Sequence, residues 1–155
     1  MKKILIAVDD TKGSKAAIAS FESLFPCADP DEVILLYVER FAGESFMDDM
    51  ITDSELSTLN EVLKGTEYKE AMDKRAASIM DFYSKSLQNR GLKGIKTVIR
   101  TGHPAEEILK TANEENADII VIGSRGKRPH SFVLGSVSRE VVNGSEVPVF
   151  VAKVK

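Results

Sequence analysis

The chain has 155 residues, of which 43% are hydrophobic and 29% are charged. These values are typical of a globular protein of one domain, and they exclude a disordered tail, a collagen-like fibre and a disulfide-stapled mini-protein. The 21 Lys and Arg residues against 24 Asp and Glu residues give a net charge of −3, which predicts no global attraction to nucleic acid or anionic lipid. The single cysteine, Cys27, excludes an internal disulfide and any CxxC motif.

No segment of the sequence looks like a membrane span or a secretory signal. The apolar run at residues 4–8, like the other apolar runs of the sequence, is far shorter than the roughly 20 residues that a membrane-spanning helix needs. The same run is too short for the hydrophobic region of a signal peptide, and two aspartates follow it at once. We therefore expect a soluble, cytoplasmic protein with neither a membrane nor a nucleic acid as partner.

Apolar runs that are typical of buried strands alternate with helical patterns along the chain. The predicted strands are residues 4–8, 33–38, 97–99, 118–122 and 147–152. Apolar positions at helical spacing predict helices over about 14–25, 66–89, 104–112 and 137–142. Such alternation indicates right-handed βαβ units. The expected fold is α/β, a doubly wound five-stranded parallel sheet with helices on both faces, in a single domain over residues 1–155.

Residues 41–65 depart from this alternation as an acidic excursion. The stretch 41–63 contains six acidic residues and no Lys or Arg. Its apolar residues could pack as one or two short helices. We interpret the segment as a solvated excursion between the second strand and the long helix; a partner-binding or gating loop is the alternative.

The loops that follow the strands are the expected place for a ligand, because an open parallel sheet binds ligands beyond the carboxyl ends of its strands. Asp9 and Asp10 follow the first strand. The stretch 123–131, with two glycines and three cationic residues, follows the fourth strand, and Gly135 and Ser136 then begin a helix. Glycines permit close approach of the backbone, and a helix N-terminus favours an anion. The pattern predicts a phosphate-binding cradle; the alternative is an ordinary loop in which Gly123 is a turn residue and Ser136 only caps the helix.

The sequence patterns of several enzymes and metal sites are missing. No GxGxxG follows a strand, and no GxxxxGK[ST] occurs. The two histidines, His103 and His130, lie in predicted loops without the spacing of metal ligands, and we interpret His103 as a turn or cap residue. Because no general base or nucleophile is evident, we do not expect an enzyme, and we name no catalytic and no metal-ligating residue.

Several stretches in this order resemble the universal stress protein family. They are residues 4–9 with the small-residue helix after them, Gly102-x-Pro104-x-Glu106-x-Ile108, Gly123-Ser124-Arg125-Gly126, Gly135-Ser136-Val137-Ser138 and Val147-Pro148-Val149. The similarity covers nearly the whole chain and is least in the acidic excursion. It implies the universal stress protein fold, which is of the adenine nucleotide alpha hydrolase-like kind, and a role in stress response or signalling.

In the nucleotide-binding branch of that family the motif reads G-x2-G-x9-G-[S/T]. Gly123-x2-Gly126 and Gly135-Ser136 match its two parts, although eight residues rather than nine separate Gly126 from Gly135. The resemblance implies that the ligand is ATP or another adenine nucleotide, with Mg²⁺ accompanying the phosphates and hydrolysis that is at most slow. The residues that it implies for the nucleotide site are Ala7, Val8, Asp9, Val38, Ile122, Gly123, Arg125, Gly126, Gly135, Ser136 and Val137.

The resemblance also implies a homodimer that pairs its last strands, from Val147 to Val154; in a monomer, Lys153 and Lys155 would instead protect that edge. Two other functions remain as alternatives. The shorter loop suggests a universal stress protein of the branch that binds no nucleotide and acts through protein contacts. The pair Asp9-Asp10 suggests a phospho-accepting, receiver-like domain, but the predicted third strand ends without an aspartate to phosphorylate.

Overall fold

The computed structural model describes residues 2–24, 29–40, 53–124 and 134–154. The strands within these ranges are β1 (Lys3–Ala7), β2 (Glu32–Glu39), β3 (Ile95–Thr101), β4 (Ile119–Gly123) and β5 (Val149–Ala152). The helices are α1 (Lys12–Leu24), α2 (Asp53–Leu63), α3 (Glu67–Asn89), α4 (Pro104–Glu114) and α5 (Ser136–Gly144).

The five strands form one parallel sheet in the order β3-β2-β1-β4-β5. The chain builds outwards from β1 to β3 and then returns to build β4 and β5 on the other side. The order therefore reverses between β1 and β4, which is the position where open α/β sheets bind their ligands. The predicted fold class, a doubly wound five-stranded parallel sheet, is confirmed.

Both faces of the sheet are covered by helices. Leu5 and Ile6 are neighbours in β1 and both are completely buried. Since neighbouring side chains in a strand point to opposite faces, each face must have its own cover. Ile6 belongs to the core cluster that α1 and α3 complete, and Leu5 belongs to the cluster that α4 and α5 complete. This two-sided burial explains why β1 reads as an uninterrupted apolar run.

Some element bounds differ from the predicted ones. β3 is longer than residues 97–99, because its register pairs it with β2 from Val33 to Glu39 and because its polar residues lie on an edge that tolerates exposure. β5 begins two residues later than predicted. Gly91 follows the C-cap residue of α3 with φ of 91°, a left-handed conformation that is typical of a glycine after a helix end. Of the acidic excursion, α2 is described as a helix, whereas residues 41–52 lie outside the described residues, as does Cys27.

None of the helices in the described ranges combines the length and the apolar character that crossing a membrane requires.

A buried ion pair fixes the carboxyl end of β2. The Glu39 side chain is 2% exposed, and its Oε2 lies 2.8 Å from the Nζ of Lys69 on α3. Asp73, one turn further along α3, lies 3.0 Å from the same Nζ. Burial lowers the pKa of Lys69, but the hydrogen bonds that its ammonium group donates to Glu39 and Asp73 outweigh burial and raise this pKa above its usual value. The stabilisation linked to that shift is complete below the ordinary lysine pKa and is lost as the pH rises through the raised value.

Replacing Lys69 tests how strongly this pair holds α3 to the sheet. Lys69→Ala leaves a buried carboxylate without its partner, so we expect the free energy of unfolding to fall by about 3 kcal/mol in urea denaturation. Lys85→Ala is the matched control, because Lys85 and Asp81 form an exposed pair one turn apart on the same helix. That control should cost less than about 0.5 kcal/mol. Equal losses in the two variants would contradict a structural role for the buried pair.

Candidate functional site

A cavity of about 450 Å³ opens beyond the carboxyl ends of β1, β2 and β4. Its volume lies in the range of roughly 300–1,000 Å³ that is usual for small-molecule sites. Nine of the residues predicted for the nucleotide site line it: Ala7, Val8, Asp9, Val38, Ile122, Gly123, Gly135, Ser136 and Val137. The other two, Arg125 and Gly126, lie outside the described residues.

The floor of the cavity depends on a contact between two glycines. Gly123 is the last residue of β4, and a Cβ added to it would lie 2.6 Å from the Cα of Gly13 in the first turn of α1. No real side chain tolerates such a distance, so glycine at 123 is what lets α1 begin directly against the sheet. The interpretation of Gly123 as a turn residue is therefore wrong, because it ends a strand and is needed for its small size.

The loop between β1 and α1 is held by the Asp9 carboxylate. Asp9 Oδ1 accepts hydrogen bonds from the Thr11 N–H at 2.8 Å, from the Ser14 hydroxyl at 2.7 Å and from the Thr11 hydroxyl. The Asp9 N–H donates back to Ser14 Oγ at 2.6 Å. Within the described ranges, Asp9 Oδ2 has no hydrogen-bond partner. These bonds hold the β1–α1 loop through Oδ1 of Asp9.

The segment between β4 and α5 is closed at its base. The Gly135 N–H donates to the Ser124 carbonyl at 2.8 Å, and the buried Ser138 hydroxyl donates to the same carbonyl at 3.1 Å. The Ser124 N–H in turn donates to the carbonyl of Ala152 in β5 at 2.7 Å. These bonds bring residues 124 and 135 together whatever the path of residues 125–133. The N-terminus of α5 is thereby fixed at the end of β4.

The N-terminus of α5 carries backbone donors that have no partner inside the helix. Its N-cap residue is Gly135, and no side chain in the described part of the chain caps the helix. Ser136 is the first helical residue and is exposed, so the alternative in which Ser136 is the cap is wrong. The N–H groups of Ser136 and Val137 have no acceptor inside the helix, because the first turn never provides one. Both residues line the cavity, so one of its ends attracts an anion.

Four charged residues of the described chain line the cavity, namely Asp9, Asp10, Arg40 and Arg75. Asp10 and Arg75 form an ion pair that connects the β1–α1 loop to α3. Tyr37 also lines the cavity, and burial, reinforced by the charges of Asp9 and Glu39, raises the pKa of its hydroxyl. Tyr37 therefore remains a neutral hydrogen-bond donor at physiological pH.

Several of these residues were not predicted from the sequence. Arg75 and Tyr37 have no local sequence signal, because only the packing of the fold brings α3 and this part of β2 to the cavity. Thr11 and Ser14 did carry one, because hydroxyl residues two and five positions after an aspartate are suited to bonding its carboxylate.

His103 is not among the residues that line the cavity. His103 is the N-cap residue of α4, as the cap interpretation predicted, but its side chain makes no capping hydrogen bond. Its Nε2 lies 3.8 Å from Glu140 on α5. Among the described residues, no group of three or more His, Cys, Asp or Glu is arranged to hold a metal ion.

Comparison with known proteins agrees with the fold. The profile of the universal stress protein family matches residues 1–153. Universal stress protein MJ0577 of Methanocaldococcus jannaschii is 33% identical, over 99% of this chain and 96% of its own length. Its solved structure superposes with a TM-score of 0.78 at 32% identity, covering 99% of this chain and 96% of that one.

Other relatives are more distant. YxiE of Bacillus subtilis, another universal stress protein, is 29% identical over 97% of this chain and 98% of its own length. A universal stress protein family protein of Arabidopsis thaliana, solved with AMP bound, shares the fold with a TM-score of 0.67 at 19% identity, over 100% of this chain and 93% of that one.

The architecture is that of a doubly wound α/β protein with a cavity at the reversal of its strand order. The chain belongs to the universal stress protein family.

Replacing Gly123 tests the glycine contact. Gly123→Ala pushes a methyl group into the backbone of Gly13, so we expect a loss of at least about 2 kcal/mol in the free energy of unfolding. Gly144→Ala, the matched control, meets only the end of the Leu109 side chain at 2.7 Å, which can move aside. The control should change stability by less than about 1 kcal/mol in the same urea titration. An alanine at 123 that costs no more than the control would contradict the proposed basis of the cavity floor.

Proposed function

We propose that this universal stress protein binds ATP, or another adenine nucleotide, in the cavity at the ends of β1, β2 and β4, and that it serves in stress response or signalling in the cytoplasm. The observation that carries the proposal is the α5 N-terminus, which lines the cavity and which no side chain of a described residue caps. Backbone N–H groups at a helix N-terminus are favourable partners for phosphate oxygens.

The order of the strands supports one orientation of the nucleotide. Val38 at the end of β2 would meet the adenine, and Oδ2 of Asp9, which has no hydrogen-bond partner among the described residues, would accept hydrogen bonds from the ribose hydroxyls. The phosphates would lie on the N–H groups of Ser136 and Val137, with the Ser136 hydroxyl as a further donor. β2 and β4 are separated by β1 alone, a distance of about 10 Å that suits the separation of a base from its phosphates.

The family supports this ligand class. A relative with the same fold has AMP bound, and a second universal stress protein was solved with cAMP, at 18% identity and a TM-score of 0.66. Both ligands contain adenine, ribose and phosphate, which are the groups that the three parts of the cavity suit.

The proposed activity is binding rather than turnover. The Asp9 carboxylate, which lies nearest to the ribose position, already accepts three hydrogen bonds on Oδ1 and is suited to orienting a hydroxyl rather than to activating water. Mg²⁺ would accompany the phosphates and be held mainly by their oxygens and by water, as is usual for this ion. Occupancy of the site would then be the signal, and any hydrolysis of ATP would be slow.

One sequence feature favours a second candidate function. The loop between Gly126 and Gly135 is one residue shorter than the nucleotide-binding motif of the family. A chain whose loop cannot enclose phosphates would belong to the branch that binds no nucleotide and acts through protein contacts. Such a protein would show no change in its melting temperature with millimolar ATP and Mg²⁺, whereas a binding protein would be stabilised.

Homodimerisation through residues 147–154 is part of the proposal. β5 is an edge strand, and Val149, Phe150 and Val151 are each only partly buried in the monomer. An apolar edge strand offers unpaired backbone groups to a second copy of itself.

Isothermal titration calorimetry with ATP and Mg²⁺ tests the nucleotide site. We expect micromolar affinity for the wild-type protein and a loss of at least about 100-fold for Gly135→Val, because the side chain fills the space next to the α5 donors. The backbone of Gly135, with φ of −59° and ψ of 160°, accepts any residue, so the variant should still fold. Val142→Ala, at an exposed position of α5 outside the cavity, should bind as the wild type does. Unchanged affinity in Gly135→Val would rule out this cradle.

Light scattering during size-exclusion chromatography tests the dimer. Val154→Lys places a charge on the exposed continuation of β5, so we expect the dimer dissociation constant to rise at least about tenfold. Ile99→Lys changes an equally exposed apolar residue on β3, the opposite edge, and should leave the dimer intact. If Ile99→Lys dissociates the dimer and Val154→Lys does not, the interface lies on the β3 edge, and the proposed β5 interface is contradicted.

A further inference from the structure

Arg40 differs from the other charged residues that line the cavity. Asp10 and Arg75 neutralise each other, and Asp9 is held by Thr11 and Ser14. Arg40 is exposed, and within the described ranges it has no ion-pair partner. A guanidinium at the edge of a ligand cavity, with no acidic partner in the described chain, is free to act on the ligand.

The backbone that presents Arg40 is held on two sides. The preceding residue, Glu39, is anchored to α3 through its buried carboxylate and Lys69. The carbonyl of Glu39 accepts a hydrogen bond from the Gly102 N–H at 3.2 Å, which joins the end of β2 to the turn after β3. The backbone next to Arg40 is therefore held in place, although the Arg40 side chain itself is exposed.

The position of Arg40 along the cavity separates it from the phosphate end. Arg40 follows the last residue of β2 directly, two positions after Val38, and both residues line the cavity. The α5 donors follow β4, which is two strand spacings, or about 10 Å, away. In the proposed orientation of the nucleotide, Arg40 is next to the base.

We propose that Arg40 covers the purine base of the bound nucleotide and gives the site its preference for purines. This inference rests on the proposed adenine nucleotide. A guanidinium is planar and weakly hydrated, and it stacks on aromatic faces. The base thus lies between the apolar Val38 and the guanidinium plane of Arg40. A purine offers that plane a larger face than a pyrimidine does, so the contact selects for base type as well as adding affinity.

Calorimetric titrations with adenosine, AMP and ATP test this role, because the three ligands share the base and differ in phosphate number. We expect Arg40→Ala to weaken all three by the same factor, about tenfold, and to weaken UTP by clearly less. Arg40→Lys keeps the charge and loses the plane, so it should recover only a minor part of the affinity. Lys74→Ala removes one exposed positive charge on α3 outside the cavity and should bind all ligands as the wild type does.

Each other outcome overturns a defined part of the account. If Arg40→Ala weakens ATP and leaves adenosine unchanged, or if Arg40→Lys restores full affinity, then Arg40 acts as a charge on the phosphates and the base contact is wrong. If wild type and Arg40→Ala bind equally well, Arg40 has no role in binding while the nucleotide site stands. If the wild-type protein binds none of the ligands, the proposed function fails and this inference fails with it.

Discussion

The contact between Gly13 and Gly123 is the constraint on which the site depends. Because Gly123 has no side chain, the first turn of α1 can rest directly on the end of β4. That contact sets the position of the β1–α1 loop, where Asp9, Thr11 and Ser14 bond to one another. A methyl group at Gly123 would meet the backbone of Gly13, separate helix from sheet and move the Asp9 carboxylate away from the position proposed for the ribose.

The two ends of the cavity present different chemical groups, and this difference would set the orientation of a bound nucleotide. At the α5 end the groups are backbone donors, which the bond from the Gly135 N–H to the Ser124 carbonyl holds at the end of β4. At the β2 end they are side chains, with Val38 and Arg40 presented by a strand end that the Glu39–Lys69 pair fixes. Backbone N–H groups favour phosphate oxygens, whereas an apolar side chain and a guanidinium plane favour a flat base. The proposed nucleotide satisfies both ends only in one orientation.

The fold and most of the described site could be predicted from the sequence because their signals are local. The apolar run of β1, the proline that begins α4 and the Gly-Ser pair at α5 each reflect a rule of burial or helix ends. Arg75 had no such signal, since exposed arginines are common and only the packing of α3 against β2 brings it to the cavity. Arg40 had a positional signal, because it directly follows the second strand, but nothing in the sequence assigned it a role. The need for a glycine at position 123 could not be predicted either, because the residue whose backbone excludes a side chain there, Gly13, is distant in sequence. The length of β3 was underestimated because polar residues alternate along an edge strand.

The most direct test of the account is a titration of the ¹⁵N-labelled protein by nuclear magnetic resonance, first with adenosine and then with ATP and Mg²⁺. The account predicts that the amides of Val8 and Val38 shift with both ligands, whereas those of Ser136 and Val137 shift strongly only with ATP. That pattern would place the base and ribose at β1 and β2 and the phosphates at α5. Shifts of Ser136 and Val137 that are equal with adenosine and ATP, or shifts confined to residues outside the cavity, would contradict it.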